Sequence, residues 1–512
     1  MNQNYVFMNP ISLILDKPRE DFTREDLIKV IEEKQIKRIT FHYTALDGKL
    51  KELKLPVTNC YQVERILSEG ERVDGSSLFG GLVNTALSDL YVVPLYKTAF
   101  LNPFEEGSLD FVCRYLTQDG SLFPFALDNI LHKAYRFFRE RTNLELYALG
   151  ELEFFLIREL DNYIYPNSKQ MGYHGSAPFT KSGQILNEML YHISRITGAV
   201  KYAHSEVGNI ERVQSNLDEI KEKEAEQLEI EFLPTPIEDT GDNLVLGRWL
   251  IRNIAYKYNC IATFTPKIEE GIAGNALHVH TELRKNGKNI IYDKDKNLST
   301  QAKKIIGGLC TYADSLTAFG NTVASSYFRL VPNQEAPIRI CWGELNRSAM
   351  IRVPLGWLNV KNLANKLNPQ QKVNFEERKC RQTVEFRTPD GSAIIHLLLA
   401  GMTMAAEWGL TNPDSIKITS RLHVTRNVFQ NKKLLNKLPS LPRSCIESSR
   451  VMFQKRSLYE REDIFPRSTI EYIIKLLQGE NDENLNQYIK SLSLPDRLYE
   501  IHKIMHRDLH RH

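Results

Sequence analysis

The chain reads as an α+β protein in which a small N-terminal domain precedes a larger domain of alternating strands and helices. Three observations carry this expectation. At 512 residues the chain exceeds what one ordinary core holds, so more than one domain is expected. Residues 38–56, RITFHYTALDGKLKELKLP, alternate apolar and polar about Leu46-Asp47-Gly48, the pattern of a β-hairpin. Farther on, three strand-like stretches carry charged or imidazole side chains two residues apart, a spacing that puts both on one face of a strand.

Taken in order, Thr23 to Lys34 has helical spacing, the hairpin follows, and Leu90 to Pro94 and Leu109 to Leu116 read as further strands. Residues 1–115 are therefore assigned to the first domain. The pattern changes after Asp119-Gly120: Phe125 to Arg141 is an amphipathic helix, and strands then alternate with helices to about residue 410. From about 411 to 512 the text is helical and charged, as in STIEYIIKLL at 468–477, and the second domain spans 116–512. Within it, residues 208–227 form a charged insert. The nine charged residues of NIERVQSNLDEIKEKEAEQ predict a solvated helix between two strands.

Composition narrows the function classes. With 42% hydrophobic and 25% charged residues the chain is globular rather than disordered, and 66 basic against 63 acidic residues offer no field for nucleic acid or an anionic membrane. Seven scattered cysteines without a CxxC pair argue against a disulfide framework or a zinc cluster and suit a reducing compartment. The N-terminus lacks a signal-like apolar run, and the longest uncharged, mostly apolar stretch, Ser392 to Ala406, is shorter than a membrane span. A cytoplasmic location is expected.

The polar strand pairs are Glu151/Glu153 in YALGELEFFLI, His278/His280 in NALHVHTEL and Glu385/Arg387 in TVEFRTPD. In each, the residue between (Leu152, Val279, Phe386) points to the opposite face. If the strands are neighbours, one sheet face becomes a polar cavity whose carboxylates need cations, and Mg²⁺ or Mn²⁺ with oxygen ligands and an imidazole fits that need. Glu206 and Glu229 flank the insert and extend the set, with Glu231 as the rival of Glu229. Arg329, Arg347 and Arg352 lie in a Pro-punctuated run with Glu335, and arginines beside such a cavity suit carboxylate and phosphoryl oxygens.

Read together, these stretches resemble the glutamine synthetase family, most closely its bacterial type I branch. The motifs are VDGSS at 73–77, GELEFF at 150–155, MGYHG at 171–175, HSEV at 204–207, QLEI at 227–230, LHVH at 277–280, RLVPNQEAP at 329–337, NRSAMIRVP at 346–354 and EFRTPD at 385–390. Their shared order along one chain makes the resemblance specific. It implies an N-terminal β-grasp domain and an α/β catalytic domain whose curved antiparallel sheet forms a half-barrel. It implies a glutamate–ammonia ligase that uses ATP, two or three Mg²⁺ or Mn²⁺ per site and a γ-glutamyl phosphate intermediate, within a double-ring homo-oligomer (a dodecamer) whose sites are shared between subunits.

Carried over by position, Glu153, Glu206 and Glu229 hold one metal, and Glu151, His278 and Glu385 the other. Arg329 and Gly274 take glutamate; Arg347, Arg352 and Arg387 face phosphate and substrate; His280 and Glu282 lie near the nucleotide. Asp74, from the neighbouring subunit, deprotonates ammonium in a pocket lined by Tyr173 and Ser77, and Glu335 sits on the closing flap. Departures from the family pattern are the insert, Ala273-Gly274-Asn275-Ala276 in place of Asn-Gly-Ser-Gly, Glu282 in place of a small hydroxyl residue, and Ile394-Ile395-His396 in place of Asn-Pro-Tyr. No Asn-Leu-Tyr-Asp-Leu-Pro loop follows residue 410, so control by tyrosine adenylylation is not expected. The alternatives are a γ-glutamyl ligase acting on a polyamine or other amine, and a non-catalytic relative, whose mark would be missing metal ligands.

Overall fold

A computed structural model of the chain describes residues 5–83, 88–160, 164–165, 169–331, 336–357, 360–376 and 381–511. The first sheet contains β1 (Arg38–Thr44), β2 (Leu50–Pro56), β3 (Glu71–Asp74), β4 (Asp89–Pro94), β5 (Phe100–Leu101) and β6 (Ser108–Leu116). Its order is β2-β1-β6-β4-β3 with β5 on β6, and only β1 and β6 pair in parallel. The predicted hairpin turn forms because Asp47 accepts from the Lys49 amide at 3.0 Å while Gly48 takes a positive φ of 77°. The helix Arg24–Glu33 starts at a reciprocal cap between Thr23 and Asp26 and buries Leu27, Val30 and Ile31 in the core.

The second sheet contains β7 (Glu145–Arg158), β8 (Val200–Ile210), β9 (Glu224–Phe232), β10 (Thr235–Pro236), β11 (Ile261–Thr263), β12 (Leu277–Lys285), β13 (Lys288–Asn289), β14 (Trp342–Glu344), β15 (Ile351–Val353) and β16 (Val384–Phe386). Its order is β14-β15-β16-β12-β7-β9-β8, with β10 and β11 on β7 and β13 on β12. All pairings are antiparallel except β14 with β15.

One face of this sheet is apolar. Leu152, Val279 and Phe386 are fully buried there, each contributing roughly 1.5–3 kcal/mol of hydrophobic burial. The helix Ile237–Lys257 lies on it, with Leu244 against Gly150 and Leu152 against Gly247. Behind it, Ile395–Thr411 packs between Leu127–Thr142 and Thr300–Gly320. A Cβ at Gly308 would stand 2.0 Å from the Ala405 carbonyl, so glycine permits that approach. The uncharged stretch from Ser392 to Ala406 is thus core, and no described helix is long and apolar enough to cross a membrane.

A buried ionic cluster ties the first sheet to helices of the larger domain. Arg114 on β6 reaches Asp128 at 3.2 Å and Asp242 at 2.6 Å, one on each of two helices of the larger domain. His396 approaches Asp242 at 3.4 Å, so the Ile394-Ile395-His396 departure supplies an extra partner to this carboxylate.

The insert is not a helix. β8 runs to Ile210 and β9 begins at Glu224, leaving only 211–223 as a turn-rich connection. Charge density misled the expectation: Arg212 pairs with Glu222 and Lys223 with Glu159, while Val213 and Ile220 turn inward and are fully buried. Salt-bridged turns over two apolar anchors need no helical periodicity.

Candidate metal and substrate site

The polar face opposite the core collects the strand pairs. In the register, Glu151 on β7 stands between His278 on β12 and Glu231 on β9, and Glu153 stands beside Glu229. His280 lies across from Glu385, which lies across from Arg352 on β15, and Glu229 lies across from His204 on β8. Strands far apart in sequence thereby become adjacent rungs on one face.

Two arms result. In the first, His278 Nδ1 is 2.7 Å from one Glu151 oxygen and His280 Nε2 is 3.0 Å from the other, with Glu385 3.9 Å from His278. Arg352 and Arg387 each reach the Glu385 carboxylate at 3.1 Å. Glu151, His278 and Glu385 offer three ligand atoms within 4.8 Å of one another. In the second arm, His204 Nε2 is 3.1 Å from Glu229 and its Nδ1 is 3.8 Å from Glu206, again three ligand atoms within 4.8 Å. Glu153 sits between the arms, accepting from the Ala276 amide at 2.8 Å and from Gln227 at 3.1 Å.

The electrostatics of the arms differ. Burial works to raise the Glu151 carboxyl, but hydrogen bonds from His278 and His280 hold it well below the usual range. Burial, with the Glu206 charge second, pushes Glu153 up to about 8, and burial among Glu151, Glu153 and Glu206 pushes Glu229 well up. Such crowding is relieved by a divalent cation, whose oxygen-rich ligation this donor set suits. His278 adds a second observation: its Nε2 is buried and has no protein partner, the state of an imidazole nitrogen left for a ligand. The residues fit two metal positions.

Glu231, the rival of Glu229, is buried but bonded to Lys201 Nζ at 2.7 Å, so its charge is already answered, although it also lies within 4.8 Å of Glu151 and Glu229.

The remaining expected residues divide. Arg329 is buried and donates to the carbonyls of Thr388 and Arg387. Gly274 sits against it: a Cβ there would lie 2.2 Å from the Pro266 carbonyl and 3.2 Å from Arg329 Cγ. Arg387 also bonds the Arg347 carbonyl, while the Arg347 side chain is exposed. Glu282 shares the strand face of His278 and His280, but its carboxylate is bonded to Arg284 at 2.5 Å. Tyr173 is half exposed, with its ring 5.6 Å from that of His204.

Asp74 stays with its own segment, exposed at the end of β3, where the Ser77 and Ser76 hydroxyls and the Ser76 amide hold its carboxyl well below the ordinary range. Glu335 lies outside the described residues.

Two site residues had not been singled out: His204, and Gln227, whose amide links Glu153, the Gly274 carbonyl and Asn275. The i, i+2 rule that found the other pairs applies equally to His204/Glu206 and Gln227/Glu229.

Comparison with known proteins agrees with this geometry. Residues 35–118 match the family model "Glutamine synthetase, beta-Grasp domain", and residues 129–494 match "Glutamine synthetase, catalytic domain". Among curated relatives, the glutamine synthetase of Thermotoga maritima is 29% identical over 441 residues, covering 83% of this chain and 89% of its own. That of Methanosarcina mazei is 30% identical over 345 residues, covering 65% of this chain and 71% of its own. The fold is similar to that of Plasmodium falciparum glutamine synthetase, with a TM-score of 0.71, 21% identity and coverage of 93% of this chain and 98% of that one. The two-sheet architecture is therefore a β-grasp domain followed by a half-barrel catalytic domain. With both domains matched over most of its length, the chain belongs to the glutamine synthetase family and is a ligase of that kind.

Proposed function

We propose that the chain joins ammonia to the side-chain carboxylate of L-glutamate at the expense of ATP, through γ-glutamyl phosphate, releasing glutamine, ADP and phosphate. The observation that carries this is the convergence of six carboxylate and imidazole groups, Glu151, Glu153, Glu206, Glu229, His278 and Glu385, on one face. Glu151, His278 and Glu385 would hold one divalent cation, and Glu153, Glu206 and Glu229 the other, with His204 beside the second. Mg²⁺ or Mn²⁺ bound by these residues would supply positive charge to offset that of phosphate and carboxylate oxygens.

The chain's own residues supply the rest. Arg387 and Arg352, fixed by Glu385, direct guanidinium donors to phosphoryl oxygens, with Arg347 at the exposed rim. Arg329, backed by the Gly274 loop, orients the amino-acid carboxylate. His280, whose Nδ1 bonds Thr383 at 2.8 Å, and Glu282 line the nucleotide side. A carboxylate must remove a proton from ammonium before nitrogen has a lone pair, and Asp74, ionised and exposed, serves a neighbouring subunit in a ring assembly, with Ser77 beside it and Tyr173 at the receiving end. Glu335 closes the site against water. The setting is cytoplasmic.

The test is phosphate release from ATP and glutamate, compared across ammonium, hydroxylamine and a panel of amines. Release that requires glutamate and is fastest with ammonium is expected. A preference for a polyamine would transfer the assignment to a γ-glutamyl ligase of another amine, and no release with any acceptor would identify a non-catalytic relative.

A further inference from the structure

Two segments far apart in sequence meet at one place. The catalytic-domain match ends at residue 494, where the final helix, Leu494–Arg507, begins, and the insert adds the connection 211–223. Both pack on the segment 263–276 that runs into the candidate site. Val213 and Ile220 of the insert, Leu509 after the last helix, and Ile268 and Ile272 of the segment close one small apolar core over β7.

Polar contacts are just as specific. Thr263 and Thr265 hydroxyls donate to the carbonyls of Leu509 at 2.8 Å and Met505 at 3.1 Å. His506 Nε2 is 2.8 Å from the Ile268 carbonyl, which can only accept, so this nitrogen carries the proton and Nδ1 accepts from the Ser215 hydroxyl at 3.0 Å. His506 is buried and thus clamps the insert and the segment together with one ring.

From the segment, the linkage continues to the site. Asn275 Nδ2 donates to the Thr265 carbonyl at 2.9 Å, the next amide, Ala276, donates to Glu153, and Gly274 lies between the Pro266 carbonyl and Arg329.

We propose that the C-terminal helix and the inserted hairpin form a buttress that fixes the 266–276 loop against Glu153 and Arg329 and thereby sets affinity for the amino-acid substrate, His506 being the positioning residue. The claim about affinity rests on the glutamate reading above; the claim about the loop does not. Neither His506 nor Ser215 touches the groups assigned to metal or phosphate, and the loop meets the amino-acid side of the site through Gly274 and Arg329, so the larger effect should fall on glutamate.

In the full-length assembled protein, His506→Ala should raise KM for glutamate about 10-fold while KM for ATP stays within about twofold, the pattern of a lost substrate-positioning contact. His506→Gln, which retains one donor and one acceptor, should restore most of that loss. Hydrogen exchange at residues 266–276 should quicken in the Ala variant and return towards wild type in the Gln variant. Ser215→Ala, a milder change, should move KM for glutamate in the same direction by about two- to threefold, and it decides the matter if His506→Ala does not assemble.

An unchanged glutamate KM, a proportional loss for both substrates, or a Gln variant as impaired as Ala would overturn the proposal. Wild-type protein without glutamate-dependent turnover would refute the functional reading instead; faster exchange in the loop of the variants would then still uphold the buttress, and unchanged exchange would remove it.

Discussion

The two arms of the carboxylate face use similar residue types under different local rules. The arm on β7, β12 and β16 lies in regular register, and its acids are balanced by His278, His280, Arg352 and Arg387. The arm on β8 and β9 is broken by register shifts between Val200 and Tyr202 and between Ser205 and Asn209, and His204 is the base at its centre. Regular pairing lets a strand face position ligands and also neutralise them; an irregular hairpin can bring carboxylates together while leaving more of their repulsion to be answered by a cation. The first arm should therefore be structurally sound without metal, and the second should depend on it.

The largest effect should come from breaking the first arm. Glu151→Ala removes the carboxylate that both histidines share and should lower kcat/KM for glutamine formation about 10³-fold or more, since a metal site supplies several kcal/mol of charge stabilisation. Steady-state kinetics in saturating Mg²⁺ measures it; a loss below tenfold would show that the arm is not catalytic.

Next in size is a test that leaves both arms intact. Asp74→Asn should reduce amide formation with ammonium by roughly 100-fold while phosphoryl transfer to glutamate persists, and neutral hydroxylamine should suffer less because it already carries a free lone pair. Equal losses with both nucleophiles would confine Asp74 to shaping the site.

The comparison itself is sharpened by stability in EDTA. Glu385→Gln leaves Arg352 and Arg387 facing a neutral amide and should destabilise the protein by about 2 kcal/mol, whereas Glu229→Gln relieves a crowded, buried carboxyl and should shift stability upward. Denaturant unfolding gives both numbers; shifts of the same sign would erase the distinction between the arms.

A smaller effect concerns the loop behind Glu153. Burial brings Lys267 down to about 8 from its ordinary 10.5, so between those values the unfolded chain binds more protons than the folded one and stability contributed by this group rises with pH. Lys267→Met should therefore gain stability relative to wild type below pH 8, by roughly 1–2 kcal/mol, and the gain should shrink towards pH 10. A pH-independent difference would mean that Lys267 titrates normally.

Much of this was legible in sequence. The 38–56 hairpin, the helix near 125–141 and the three polar pairs are local patterns whose period equals the structural period. The second arm was harder because β9 is buried on both faces and puts Glu226, Gln227, Glu229 and Glu231 inside, contrary to the expectation that charged text is solvated. Alternation from Leu228 to Phe232 marked the strand, but the charges of 211–224 obscured where it began. Glu231 could be told from Glu229 only through Lys201, a contact set by the pairing of β8 with β9. His204 is legible as the i, i+2 partner of Glu206 within the HSEV motif.

The central claim, that two cations are held by two distinct arms, is tested most directly by titrating Mn²⁺ into the metal-free protein and counting sites in wild type, Glu385→Gln and Glu229→Gln. The account predicts two sites per chain in wild type and the loss of a different one in each variant, with the remaining site keeping its affinity within about threefold. A single site in wild type, or both sites lost together in either variant, would contradict it.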